Sequence, residues 1–302
     1  MSDLTLVYGA TGEQGGPVAQ EILKRGAAVR VMVRRPERAA YLAARGAEVL
    51  VGDIQEKADV QRAFEGVTRL SLTLPLGGDP LAATGLAVQA AKAAGVRRMV
   101  LNTSGQTPDT PTGVPMMDYR LPLEQLVRES GLSALILRPT AYLQNLLGPW
   151  ARPAVVADDT LAYPIPDTHR VSWLAAEDLG PLTAEALERS DLTGHLNVGG
   201  PEALTGPELA AHLSDAVGRH IRYQATTPEA FGGQMAQVFG PEMGEAATRA
   251  YRLTWEGAPD AMAINPAALH AALPVIMTSF ADWLALHSAA FQPESTGMEA
   301  AQ

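Results

Sequence analysis

The sequence predicts an α/β protein, a doubly wound parallel sheet with a smaller, mostly helical C-terminal lobe. Three observations predict it. Short apolar β-type runs alternate with helical patterns through the first 140 residues, a glycine-rich turn separates the first run from the first helix, and the alternation stops after Pro149. Strands and helices alternating at this spacing are joined by crossovers, which lay the strands parallel in one sheet.

Leu4–Tyr8 is a short β-run, followed by the glycine-rich turn and a helix over Pro17–Arg25. Val18, Ile22 and Leu23 share one helical face, Pro17 suits the first turn and Gly26 suits the position after the last. Ala28–Val33 is a second strand, Pro36–Arg45 a helix closed by Gly46, and Glu48–Val51 a third strand leading into Gly52-Asp53. Lys57–Phe64 reads as helix, Arg69–Leu74 as a strand stopped by Pro75, and Leu81–Ala94 as an alanine-rich helix stopped by Gly95. Arg98–Asn102 is strand five, Gln106–Pro115 a loop, Pro122–Ser130 an amphipathic helix, and Ala134–Leu137 strand six.

Residues 1–150 are thus expected to form the doubly wound domain, completed by about 168–200 through the helix Glu177–Arg189 and the strand His195–Val198. Residues 151–167 and 201–287 make the smaller, substrate-binding lobe, and 288–302 a disordered tail. Within that lobe, Met235, Phe239, Met243, Tyr251 and Trp255 are read either as a substrate wall or as ordinary core.

Composition narrows the function classes. The 302 residues contain no cysteine, which excludes disulfides, thiolate metal sites and a thiol nucleophile. Lys and Arg number 23 against 33 Asp and Glu, a net charge of −10 that argues against general nucleic-acid binding. The start Met1-Ser2-Asp3-Leu4 has no basic and apolar leader, and no apolar stretch reaches the ~18 residues of a membrane span. A cytoplasmic protein without membrane partners is expected. The six histidines show no metal-ligand spacing, so no metal is expected.

The sharpest signal is Gly9-Ala10-Thr11-Gly12-Glu13-Gln14-Gly15-Gly16, placed between the first strand and the first helix. Glycine is required where the chain turns out of the strand, where backbone approaches a diphosphate, and where helix meets sheet. The opening of the helix then offers free N–H groups and partial positive charge to phosphate. The expected contacts are Gly9, Thr11, Gly12, Glu13, Gln14 and Gly15. After strand two, where a carboxylate would hold the 2′-hydroxyl of NAD, stand Arg34 and Arg35. Guanidinium forks onto a 2′-phosphate that a carboxylate would repel, so NADP(H) is favoured over NAD(H).

The spacing Gly9-x-x-Gly12-x-x-Gly15 resembles the motif of the atypical short-chain dehydrogenase/reductase superfamily. Within it, Val29–Pro36, Gly52-Asp53, Asn102-Thr103-Ser104 and the segment Leu137–Asn145 resemble the NmrA-like branch, over roughly residues 3–200. That branch contains NADPH-dependent quinone reductases and redox-sensing regulators. The resemblance implies that Asp53 lies near the adenine edge, although it is equally placed to cap the next helix. It implies that Leu74, Pro75 and Leu76 line the nicotinamide-ribose end. Thr103 and Ser104, after strand five, either bind cofactor or only end the strand. Pro139 and Tyr142, after strand six, are placed with the cofactor contacts, Tyr142 being readable also as a fixture of the lobe junction.

The superfamily's usual Tyr-x-x-x-Lys pair is absent: no tyrosine is followed four residues on by lysine, and the last lysine is Lys92. By alignment to Glu124, the lysine of the branch is replaced here by Arg120, which can bind ribose or phosphate but cannot donate a proton at neutral pH. Tyr119 beside it is the nearest possible acid. The expected activity is hydride delivery to a small quinone-like or otherwise conjugated substrate. The rival is a regulatory protein that reads the NADPH/NADP⁺ balance and passes it to a protein partner.

Overall fold

The computed structural model describes residues 3–73 and 78–293. The chain forms two compact units: Met1–Tyr142 with Leu174–Pro201 and Ile264–Met277, and Leu143–Trp173 with Glu202–Ala263 and Thr278–Gln302.

The first unit holds a seven-stranded sheet. Strand β1 (Leu4–Val7) is flanked on one side by β2 (Ala28–Val33) and then β3 (Glu48–Val51). On the other side follow β4 (Arg69–Thr73), β5 (Arg98–Asn102), β6 (Ala134–Pro139) and the strand Gly194–Val198. Every neighbouring pair is parallel. The order reverses between β1 and β4. The connections leaving those two strands turn to opposite faces, which opens a crevice at their carboxyl ends.

Helices cover both faces, and this explains the nearly continuous apolar strands. Leu70, Leu72, Met99, Leu101 and Ile136 pack with Phe64, Val88 and Val127 on one side. Val7, Val31, Val100, Leu135 and Leu137 pack with Val18, Ile22, Leu179 and Leu182 on the other. Each fully buried side chain of this size contributes about 1.5–3 kcal/mol.

Two helices begin two residues earlier than the sequence predicts. The first, α1 (Gly15–Lys24), starts at Gly15 instead of Pro17, and the glycine pair therefore belongs to its opening turn. The other spans Arg120–Glu129 and follows a short helical turn over Pro115–Asp118. Pro122 does not delay it, because the first N–H groups of a helix have no intrahelical acceptor to lose. Asp118 holds the preceding loop by accepting from the N–H groups of Thr112 and Gly113.

The second unit is mostly helical, as the sequence suggests, and adds short strands that the sequence did not reveal. It contains a parallel pair, Thr160–Tyr163 with Arg222–Ala225, and an antiparallel pairing of Val171 and Ser172 with Leu204 and Ala203. The helix Gly206–Val217 is opened by a reciprocal cap between Thr205 and Glu208. Helices Pro228–Phe239 and Pro241–Glu256 form a hairpin broken at Gly240-Pro241. Of the five residues read as wall or core, Tyr251 packs edge-on to Phe231 with ring centroids 4.8 Å apart. Phe239 and Met243 are instead exposed. The expected tail also needs correction: Ser288–Phe291 forms a turn of 3-10 helix, and Phe291 is fully buried beside Trp283. Residues 294–302 lie outside the described residues.

Candidate functional site

The glycine loop sits at the reversal point of the sheet. Gly9 adopts φ +72°, and a Cβ there would stand 2.7 Å from the Thr73 carbonyl oxygen at the end of β4. A Cβ on Gly15 would lie 2.5 Å from the Gly9 oxygen, so the loop closes on itself only without side chains at both places. Gly12 is different: it is exposed, and among the described residues its Cβ would meet the Gly9 oxygen alone, at 3.3 Å. Hydrogen bonds from the Gly12 N–H to Gly9 O and from the Gly16 N–H to Gly12 O, both 2.9 Å, fix the turn. Tyr41 donates to the Ala10 carbonyl from outside.

The opening of α1 carries neither a side-chain cap nor an acid in its first turn. Gln14 occupies the cap position, but its side chain reaches away from the helix. Its Oε1 accepts from Asn102 Nδ2 at 2.9 Å, Ser104 Oγ at 2.8 Å and the Tyr142 hydroxyl at 3.2 Å. Most helices fill this position with a short polar side chain that consumes free N–H groups. Here no side chain makes that cap. Glu13, exposed on the same loop, has its carboxyl pushed up by partial burial and by Glu177.

Arg34 and Arg35 follow β2 and are exposed, and neither side chain has a hydrogen bond or ion pair among the described residues. Asp53 does not cap the following helix. Its Oδ1 accepts from the Gln55 N–H at 3.0 Å, closing a turn, and the residue before the helix is Glu56. Leu74, Pro75 and Leu76 lie outside the described residues.

At the end of β5, Thr103 donates to the carbonyls of Gly105 at 2.7 Å and Leu137 at 3.1 Å. Ser104 has φ +58°, a left-handed conformation uncommon for a non-glycine residue, and its N–H donates to Asn102 Oδ1. Arg120 is anchored by two backbone carbonyls, Nε to Thr103 at 3.0 Å and Nη1 to Met116 at 2.8 Å. Its guanidinium carbon stands 4.6 Å from the centre of the Tyr119 ring, so the two adjacent side chains stack. Burial lowers the Arg120 guanidinium from its ordinary value, while Tyr119 and Tyr142 act in the opposite direction. Burial pushes the Tyr142 hydroxyl well above the usual tyrosine range, and it stays protonated to donate to Gln14. Pro139 is buried at the end of β6.

The loop, the open end of α1 and these strand ends together fit a dinucleotide. The exposed Gly12 leaves room beside the helix opening that a side chain would fill. The NmrA-like family matches residues 1–265. The chain belongs to the NmrA-like family. It is 31% identical to the NAD(P)H azoreductase of Xenophilus azovorans, across 95% of this chain and 99% of that relative. It is 26% identical to quinone oxidoreductase 2 of Escherichia coli, across 78% of this chain and 82% of that protein. The crystal structure of the NADPH-dependent quinone oxidoreductase of Escherichia coli complexed with NADPH superimposes with a TM-score of 0.78 at 23% identity, covering 94% of this chain and 99% of that one. The chain is accordingly placed among the NAD(P)-binding oxidoreductases of doubly wound fold.

Sequence reasoning missed two features of this NmrA-like site. One is the convergence on Gln14, made by partners 88, 90 and 128 residues away along the chain. The other is the buried ion pair of Glu124 with Arg138, which ties the helix bearing Arg120 to the end of β6. The signal available for the second was two opposite charges inside otherwise apolar patterns, Glu124 between Leu123 and Val127 and Arg138 after Leu137. Among the described residues, no group of three or more potential ligands could hold a metal, and no helix is long and apolar enough to cross a membrane.

Proposed function

We propose that this NmrA-like protein is an NADPH-dependent reductase that delivers hydride to a quinone-like or other small conjugated acceptor. One observation carries the reading: a helix opening with no side-chain cap and no acid in its first turn, at the sheet's reversal point, beside two arginines at the end of the adjacent strand whose side chains have no partner among the described residues. The first suits a diphosphate and the second an additional phosphate on the adenosine ribose. The azoreductase and quinone oxidoreductase named above support an acceptor with a conjugated N=N or C=O system.

NADPH, when bound, supplies the hydride. Gly9, Thr11, Gly12, Glu13 and Gly15 shape the diphosphate site, and Arg34 and Arg35 fork onto the 2′-phosphate in preference to NAD(H). Asp53 closes the turn at the adenine side, while Leu74, Pro75 and Leu76 are assigned to the nicotinamide ribose. Thr103, Ser104, Arg120, Pro139 and Tyr142 bound the redox end. Arg120 keeps its charge at every physiological pH and offers its remaining N–H groups to ribose or to negative charge developing on the acceptor. Tyr119, stacked on Arg120, is assigned as the proton donor in place of the absent Tyr-x-x-x-Lys pair.

The test is NADPH consumption by the purified protein with a panel of quinones, azo dyes and enals. Turnover with at least one acceptor class, faster with NADPH than with NADH, supports the reading. NADPH binding with no consumption across the panel overturns it and favours a regulatory protein that acts through a protein partner.

A further inference from the structure

Gln14 has an unusual position and an unusual set of partners. It precedes α1 without capping it, and one amide oxygen collects three donors from the ends of β5 and β6. Ser104, one of the three, is held in a left-handed conformation that a non-glycine residue keeps only where surrounding contacts enforce it. Its N–H is bound to Asn102 Oδ1, whose own amide nitrogen donates to Gln14. Tyr142 is buried, and its hydroxyl is positioned by the same oxygen.

The sheet order shows which part of a dinucleotide this network serves. The diphosphate belongs at the reversal between β1 and β4. One half of the ligand then extends over β2 and β3, where Arg34, Arg35 and Asp53 stand. The other half extends over β4, β5 and β6, towards Asn102, Ser104 and Tyr142. Gln14 lies at the start of α1 but commits its amide oxygen to the second half.

We propose that Gln14 is a positioning residue for the nicotinamide half of the cofactor, acting through Asn102, Ser104 and Tyr142 rather than by contact with the diphosphate. This rests on the NADPH reading above. The network links the loop that receives the diphosphate to the residues that receive the nicotinamide, so one side chain sets both in register. Removing the amide oxygen leaves three donors without their common acceptor and frees Ser104 to relax out of its strained backbone conformation.

The experiment compares two ligands by calorimetry: NADPH, and 2′-phospho-ADP-ribose, which keeps both phosphate groups but lacks nicotinamide. Gln14→Met is expected to weaken NADPH about tenfold, in line with lost hydrogen bonds, and to leave 2′-phospho-ADP-ribose within about twofold. Gln14→Glu retains an acceptor for all three donors but adds charge at the helix opening. It is expected to weaken both ligands together and so restore the wild-type ratio of the two affinities. Urea midpoints close to that of the wild type show that each variant is folded. Equal losses of both ligands in Gln14→Met would place Gln14 on the diphosphate and overturn the proposal. Failure of the wild-type protein to bind either ligand would instead overturn the NADPH reading on which it rests.

Discussion

The Glu124 carboxylate receives two arms of the Arg138 guanidinium, Nε and Nη2, at 2.7 Å each. Both side chains are buried, Glu124 to 1% and Arg138 to 4% exposure. Arg128 adds a third donor at 2.6 Å from one turn further along the same helix. The pair joins the helix Arg120–Glu129 to the last residues of β6, and through them fixes the base from which Arg120 reaches the Thr103 carbonyl.

Removing Glu124 leaves the buried Arg138 guanidinium charged, with only the exposed Asp109 carboxylate at 3.3 Å to compensate it. Glu124→Gln is expected to destabilise the protein by about 3–5 kcal/mol, read from the urea midpoint. Replacing both partners, Glu124→Leu with Arg138→Met, should recover most of that loss. A double variant no more stable than Glu124→Gln would show that the pair itself, rather than the unpaired charge, holds the helix.

The same pair gives a pH dependence of definite sign. Burial alone would raise the Glu124 carboxyl, but Arg138, with help from Arg128, holds it below the ordinary value. A carboxyl depressed in the folded state stabilises fully above its unfolded pKa of about 4.3, and that stability is lost as pH falls through the lower folded value. Urea midpoints measured down through pH ~4 should therefore fall more steeply for the wild type than for Glu124→Gln. Parallel slopes would contradict the assignment.

The glycines separate fold from binding. At Gly12 an added methyl group requires the Gly9 oxygen to yield only a few tenths of an ångström, but it projects into the room beside the helix opening. Gly12→Ala should keep stability within about 0.5 kcal/mol while weakening NADPH at least about tenfold. Gly15→Ala, whose methyl would meet Gly9 backbone at 2.5 Å, should lower stability and binding together. Unchanged NADPH affinity in Gly12→Ala would remove the loop from the cofactor site.

Tyr119 can be tested without disturbing Arg120. Tyr119→Phe keeps the ring on which the guanidinium stacks and removes only the hydroxyl. With Tyr119 as proton donor, kcat should fall by about tenfold or more while NADPH affinity is retained. An unchanged kcat would assign protonation to solvent.

Much of the first unit is legible in the sequence because its rules are local. Apolar β-runs, the glycine turn and stops such as Gly95 each act within a few residues, and together they specify a parallel sheet. What escapes is convergence. The partners of Gln14 come from strand ends far along the chain, and no spacing rule joins residue 14 to residue 142. Asp53 reads equally as a residue near the adenine edge or as a cap of the next helix, and only the backbone path excludes the cap, since its carboxylate closes a turn with Gln55 instead. In the second unit, strands such as Thr160–Tyr163 and Arg222–Ala225 are four residues long and interrupted by prolines nearby, too short for periodicity to reveal. Phe291 shows the opposite failure: a single buried aromatic holds in place a segment whose small, polar composition suggests disorder.

A dinucleotide carrying a 2′-phosphate is expected on the glycine loop, with Arg34 and Arg35 at its adenosine end. Calorimetric titration of NADPH and NADH into the wild type and into Arg34→Ala/Arg35→Ala tests it most directly. Both arginines are exposed and unpartnered among the described residues, so the double variant should fold normally. NADPH should bind the wild type at least about tenfold tighter than NADH, and the double variant should lose that preference while keeping its NADH affinity. Equal losses for the two nucleotides, or no binding of either to the wild type, would contradict it.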